Sequence, residues 1–160
     1  MPANTTHKAE AIEPLMKHLP VNTVFISMIE AVVDSAIQKD CRKVAILGTE
    51  FTMQSSFYPD AFAARGKGAE AILPARCEDI QAISNAIFTR MLKNVWMEED
   101  ALMCNAVMER MANEQQADSV ALACTELPML YANTGVASLL PAIDTTQALT
   151  LAVAEACMAT

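Results

Sequence analysis

The sequence predicts an α/β fold with a parallel, doubly wound sheet, and three observations carry that expectation. Short apolar runs, Val44 to Leu47, Ala69 to Leu73 and Val120 to Ala123, alternate with longer stretches of helical periodicity. Turns and helices, rather than hairpins, separate those runs, so neighbouring strands should lie parallel. Of 160 residues, 53% are hydrophobic and 19% charged, which suits one packed domain and excludes a disordered chain.

Residues 1–8 read as a loop leading into a helical stretch from Ala9 to His18. Pro14 interrupts it as an early-turn proline of a second short helix, and Leu19-Pro20 ends it. Asn22 to Ile26 is β-prone. Ser27-Met28-Ile29-Glu30 is a capping box opening a helix to about Lys39, with Ile29, Val32, Val33, Ala36 and Ile37 on one face. The polar break from Lys39 to Lys43 marks a subdomain boundary. Val44 to Leu47 reads as a strand buried on both faces, stopping at the hydroxyl-bearing glycine turn Gly48-Thr49-Glu50-Phe51-Thr52. A helix from about Gln54 to Ala64 then ends at Arg65-Gly66, and the strand Ala69 to Leu73 closes at Pro74. Helices are expected over Asp79 to Lys93 and Glu98 to Gln115, with Ile80, Ile83, Ile87 and Met91 at helical spacing in the first. After the strand ending at Cys124 come a short helix, a β-prone run from Leu139 to Ile143, and a last helix from Thr145 to Met158.

Charge and composition exclude several functions. The net charge is −8 and the basic residues cluster no further than Arg42-Lys43, which argues against nucleic acid and anionic membranes as partners. The opening residues lack the apolar core of a signal peptide, and no apolar run approaches the ~20 residues of a membrane span, so a cytoplasmic location is expected. Five scattered cysteines without a C-x-x-C pair, and only two histidines, predict reduced thiols and no metal site. The eleven methionines read as core packing.

The stretch Ala121-Leu122-Ala123-Cys124-Thr125-Glu126-Leu127-Pro128 carries the chemistry. It puts a thiol at the carboxyl end of a strand, where open α/β sheets bind ligands, beside the start of a helix. The backbone N–H groups there are expected to lower the thiol pKa below its free value of about 8.5. The same order of features occurs twice. Ala3-Asn4-Thr5-Thr6-His7 leads through a short helix to Leu19-Pro20, Ile26 and the cap Ser27-x-x-Glu30. Cys124-Thr125-Glu126 leads likewise to Leu140-Pro141, Ile143 and the cap Asp144-x-x-Gln147. The repeat predicts two similar lobes facing each other, with Ala3 at the place that Cys124 holds in the second.

At these residues the chain resembles the PLP-independent aspartate/glutamate racemase family. Ala123 to Pro128 matches the family's second signature, G/A-C-T-E-hydrophobic-P; Asn4, Thr5 and His7 match its first, C-N-T-A/M-H, with Ala3 at the usual cysteine. Val44 to Met53 with Phe57-Tyr58, and Ile143 to Thr146, resemble further family segments. The resemblance implies two pseudo-symmetric, flavodoxin-like parallel-sheet lobes, the first truncated at its N-terminus. Residues 1–40 would be its remnant, 41–144 a complete second lobe, and 145–160 a helix returning to the first.

The resemblance also implies cofactor-independent racemisation of aspartate or glutamate. A thiolate removes the α-proton on one face and a thiol returns one on the other. Cys124 is the expected acid/base, with Asn4, Thr5, Thr49 and Thr125 holding the carboxylate, Glu126 the ammonium partner, Lys93 reaching a side-chain carboxylate and His7 assisting the first lobe. Ala3 carries no labile proton, so a complete two-base cycle is not expected. The alternatives are a one-base, decarboxylase-like use of Cys124 and an inactive truncated homologue. An incomplete sheet exposes strand edges and helix faces, which predicts a homo-oligomer such as a dimer.

Overall fold

The computed structural model describes residues 9–158. In chain order it contains α1 (Ala9–Met16), α2 (Met28–Gln38), β1 (Lys43–Leu47), α3 (Glu50–Met53), α4 (Phe57–Arg65), β2 (Glu70–Ile72), α5 (Cys77–Thr89), a 3-10 turn (Met91–Lys93), α6 (Glu98–Gln115), β3 (Ser119–Leu122), α7 (Glu126–Thr134), β4 (Ala142–Asp144) and α8 (Thr145–Met158). The strands form one parallel sheet in the order β2-β1-β3-β4, as the alternation of runs and helices predicts. Val44 pairs with Ala71 on one side and Ser119 on the other, and Ala121 pairs with Ile143.

Alternation along each strand decides what the sheet's two faces meet. Val44, Ile46, Ala121, Ala123 and Ile143 pack with Val32, Val33, Tyr58, Phe62 and Ala148, from α2, α4 and α8. Ala45, Leu47, Val120 and Leu122 pack on the other side with Ile83, Ile87, Val107, Met108, Leu127 and Leu130, from α5, α6 and α7. Because both faces are covered, β1 and β3 are apolar at nearly every position rather than at every second one. Met28, Met53, Met91 and Met108 are among the largest fully buried side chains, in keeping with a packing role.

Polar contacts fix the frame. The Asp118 carboxylate accepts the backbone N–H groups of Arg42 (2.9 Å) and Lys43 (3.2 Å), tying the entry of β1 to that of β3. Ser27 caps α2 by accepting the Glu30 N–H at 3.4 Å, but the Glu30 carboxylate does not complete the capping box. It pairs with Arg65 instead, at 2.7 Å, and Arg65 also holds Asp34, so α4 is pinned to α2.

Several expected boundaries shift for identifiable reasons. Pro14 lies inside α1 instead of opening a second helix. Residues 22–26 form no strand; Val24 is exposed, and a β-prone run with no strand beside it among the described residues gains nothing from extension. The helix expected from Gln54 begins only at Phe57, as α4, and the expected turn from Gly48 to Thr52 contains the short helix α3. The Ser55 hydroxyl donates to the Thr52 carbonyl at 2.8 Å, and Pro59 has no N–H to give the Ser55 carbonyl, so the ladder breaks between them. The helix expected to reach Lys93 ends at Thr89, where Arg90 leaves helical geometry and its guanidinium grips buried Asp100 through two bonds. The strand expected from Leu139 begins at Ala142, because the Leu139 N–H bonds to the Asn105 side chain at 3.1 Å instead of joining the ladder. The long helix α6 and the last helix α8 occupy the predicted spans.

Asp118→Ala removes the shared acceptor of two strand-entry N–H groups in a partly hydrated setting. The expected loss is about 1–2 kcal/mol of unfolding free energy in urea titration; an unchanged midpoint would show that water replaces the carboxylate.

Candidate active site

The chain turns back on itself between β1 and β3. After β1 it runs to β2 on one side, then crosses to β3 on the other, so the crevice of this sheet opens beyond the carboxyl ends of β1 and β3. Gly48-Thr49 stands at one of these ends and Ala123-Cys124-Thr125-Glu126 at the other. The Leu47 carbonyl accepts the Ala123 N–H at 2.7 Å, carrying the ladder one residue past β3. A Cβ at position 48 would sit 2.9 Å from the Ala123 oxygen and 3.4 Å from the Thr52 Cβ. Only glycine lets the two strand ends close this far.

Cys124 lies half-buried between β3 and α7. Its Sγ–H donates to Glu126 Oε2 at 2.8 Å, and the Thr125 hydroxyl donates to the same oxygen at 2.8 Å. The three motif side chains therefore form one cluster around a single carboxylate oxygen. The thiol pKa is pushed up to about 12, chiefly by burial and then by the bonded, negatively charged Glu126 carboxylate. The backbone N–H groups of Glu126 and Thr125 act in the opposite direction and are outweighed. This reverses the expectation of a lowered pKa: the helix start is present, but the desolvated thiol is paired with an anion. Cys124 rests as a protonated donor.

Across the crevice, Thr49 precedes α3 without capping it. Its Oγ1 lies 3.2 Å from the Oγ1 of buried Thr52. The Glu50 N–H, the first of α3, donates to the Ser84 hydroxyl of α5 at 3.1 Å. At the outer strand, Asp144 caps α8 by accepting the N–H groups of Thr146 (2.8 Å) and Gln147 (3.2 Å). Buried Thr145 donates to the Leu122 carbonyl at 3.2 Å, bracing the end of β3. Lys93 is exposed on the 3-10 turn, a segment that packs against α7, and makes no ion pair among the described residues. The structure thus gathers Cys124, Thr125 and Glu126, puts Thr49 at the adjoining strand end, and leaves Lys93 outside the cluster. Ala3, Asn4, Thr5 and His7 lie outside the described residues. Gly48, Thr52, Ser84 and Thr145 were not singled out as site residues from sequence; for Ser84 a signal exists, since it holds one of the apolar-face positions shared by Ile80, Ile83 and Ile87. Among the described residues no three His, Cys, Asp or Glu side chains gather as metal ligands, and no helix is long and apolar enough to cross a membrane.

A parallel sheet with a thiol–carboxylate cluster at its reversal point defines a doubly wound α/β protein. The chain belongs to the Asp/Glu/Hydantoin racemase family, whose model matches residues 1–153. Solved structures agree. A candidate Asp/Glu racemase from Yersinia pestis superposes with a TM-score of 0.77 at 25% identity, covering 98% of this chain and 64% of that one. An aspartate racemase homologue from Pyrococcus horikoshii OT3 gives 0.77 at 25% identity over 96% and 63%. The Picrophilus torridus aspartate racemase, at 21% identity and a TM-score of 0.61 over 96% and 59%, shares the fold. The chain therefore spans just under two thirds of the length of the structures it resembles.

Two outcomes are expected. At pH 7.5 iodoacetamide should label Cys124 more slowly than exposed Cys77. Glu126→Gln removes the anion that disfavours the thiolate, so Cys124 labelling should accelerate, about tenfold for each unit by which the pKa falls. Slower labelling in the variant, read by peptide mass mapping, would contradict the assigned sign. Gly48→Ala should cost about 1–3 kcal/mol in thermal or urea unfolding, since the added methyl meets backbone rather than a side chain that could swing away.

Proposed function

We propose that this chain supplies one face of a cofactor-independent active site that moves the α-proton of an acidic amino acid, aspartate or glutamate, with Cys124 as the proton carrier. The observation that carries the reading is the Cys124 thiol, held protonated against Glu126 at the carboxyl end of β3, where the sheet reverses. Family membership supplies the substrate class.

In this reading Thr49 and Thr125, with Asn4 and Thr5 from the opposite lobe, hold the α-carboxylate through hydroxyl and backbone donors, Lys93 meets the side-chain carboxylate, and His7 assists across the crevice. The substrate ammonium docks at Glu126. Its positive charge offsets the carboxylate that raises the thiol pKa, so on binding the Sγ–H gives its proton to solvent water, and the N–H groups of Thr125 and Glu126 stabilise the thiolate left behind. The thiolate then takes the α-proton: the C–H bond breaks, its electron pair stays on the planar α-carbon and adjoining carboxylate, and the proton rests on Sγ. If the proton on Sγ trades places with solvent before it is delivered back to the same face, the outcome is exchange with retention, whereas return of the original proton leaves the substrate unchanged. Inversion needs a donor on the other face, and Ala3 has none to give. In this reading the opposite lobe, which excludes water from the site, is completed in a cytoplasmic homo-oligomer.

A second reading draws on the same thiol. A resting donor of high pKa opposite an alanine suits one-sided protonation of a carbanion left by loss of carboxylate, as in decarboxylases of the same superfamily.

The test is α-proton exchange in D2O, followed by NMR on each enantiomer of aspartate and glutamate separately, with folding checked by circular dichroism. The expected result is deuterium incorporation with retention from one enantiomer, lost in Cys124→Ala. Inversion would mean that a residue other than Ala3 supplies the second proton. No exchange from a folded sample, or exchange that survives Cys124→Ala, would overturn the assignment.

A further inference from the structure

The last helix is apolar on the side that faces away from the sheet. Of the 14 residues of α8, only Thr145 and Ala148 are buried, while Leu151, Val153 and Met158 are exposed and Glu155 is the one charged residue. A helix with one face in solvent ordinarily carries polar side chains there, and a helix apolar all round belongs in an interior. The contrast is visible within the molecule. The outer helix α6 exposes Glu98, Glu99, Glu109 and Glu114 beside a single large apolar residue, Leu102.

Beside the apolar face lies a groove of about 450 Å³ between α8, α2 and the end of α4. Small residues of α2 and α8 line it, Ala31, Ser35, Ala148 and Ala152, and they let another backbone come close. Helix α4 leads to β2 and α8 leaves β4, the two edge strands, and α2 packs against both helices. Lys67, just after α4, and Glu155 of α8 therefore flank the groove from opposite sides. Both are exposed, and neither makes an ion pair among the described residues. Arg65, by contrast, is already bound to Glu30 and Asp34.

Such a groove complements itself. A two-fold axis through it exchanges its sides, so the unpaired Glu155 of one copy meets the unpaired Lys67 of the other, and each contact is made twice. A net charge of −8 sets two copies against each other, so association needs opposite charges matched locally, and here they are matched. A lipid surface suits this face poorly: Asp34 and Glu155 stand in the groove, and α8 lacks the Lys and Arg of a membrane-surface helix.

We propose that this face is the interface of a two-fold dimer, in which a second copy of the chain covers α8, buries Leu151 and pairs Lys67 with Glu155 between copies. The dimer gives a surface to the homo-oligomer of the functional reading, yet it stands on packing and charge alone. Association is measured without substrate, so the two fail separately.

The experiment is sedimentation velocity of the full chain, which should run as a dimer at about 100 µM. Leu151→Glu puts a charge into the interface twice and should raise the dissociation constant about 100-fold or more. Lys67→Glu and Glu155→Lys each set like charges face to face and should each weaken the dimer about tenfold. The double reversal restores the pairing and should return to within about threefold of the unaltered chain. Net charge alone predicts the opposite for Glu155→Lys, which makes the chain less acidic and would tighten the dimer. All three side chains are exposed in the single chain, so folding does not depend on them, and circular dichroism checks that it is kept. A monomer at that concentration would overturn the proposal and leave α8 to a different polypeptide. A dimer indifferent to Leu151→Glu, or single reversals that the double does not repair, would overturn it as well.

Discussion

The close approach of β1 and β3 at their carboxyl ends is the constraint on which the site depends. The Leu47 carbonyl draws in the Ala123 N–H at 2.7 Å, one residue beyond the assigned strand, and Gly48 leaves room for it. That contact fixes where the β3 backbone stops being a strand, and so where the Cys124 side chain leaves the sheet. The bracing is repeated one layer out, where Thr145 donates to the Leu122 carbonyl. A thiol at a strand end would otherwise hang from a flexible turn; here its backbone is held from both neighbouring strands.

The electrostatics of Cys124 is a contest with a clear winner. Two backbone N–H groups favour the thiolate, and a helix start is often read as sufficient to activate a cysteine. Burial and an adjacent carboxylate outweigh them, because the N–H groups act by local hydrogen bonding while desolvation penalises the whole charge of the anion. Thr125, donating to the same Glu126 oxygen, keeps that carboxylate turned towards the sulfur. The upward shift thus comes first from burial and then from the Glu126 carboxylate, and a cationic group arriving at Glu126 would reduce the second contribution.

What was legible from sequence follows from where the signal lies. β1 and β3 announce themselves because a strand buried on both faces is apolar at nearly every position, and α6 and α8 because long stretches run without a glycine or proline to break them. The Cys124-Thr125-Glu126 cluster is local, so adjacency in sequence delivered adjacency in space. The misses are tertiary. Residues 22–26 have β propensity but, among the described residues, no neighbouring strand to pair with, and the break before α4 depends on Ser55 and Pro59 acting together. Arg90 leaves the helix for Asp100, a partner on α6. The pKa direction of Cys124 depends on how deeply it is buried and on the rotamer of Glu126, neither of which is written in the motif. Ser84 bonds a backbone N–H, which leaves no trace in side-chain pattern at the far end.

β3 is buried at all four positions and lies between β1 and β4, with an apolar cluster on each side. Amides in such a strand become accessible to solvent only when the whole domain opens, so their hydrogen exchange should report the global unfolding free energy rather than local fraying. Cys124 is thereby tethered to the last segment of the molecule to come apart. Breathing of the outer helices and loops leaves the sulfur's anchor where it is, and heat inactivation of any chemistry at that sulfur would track cooperative unfolding.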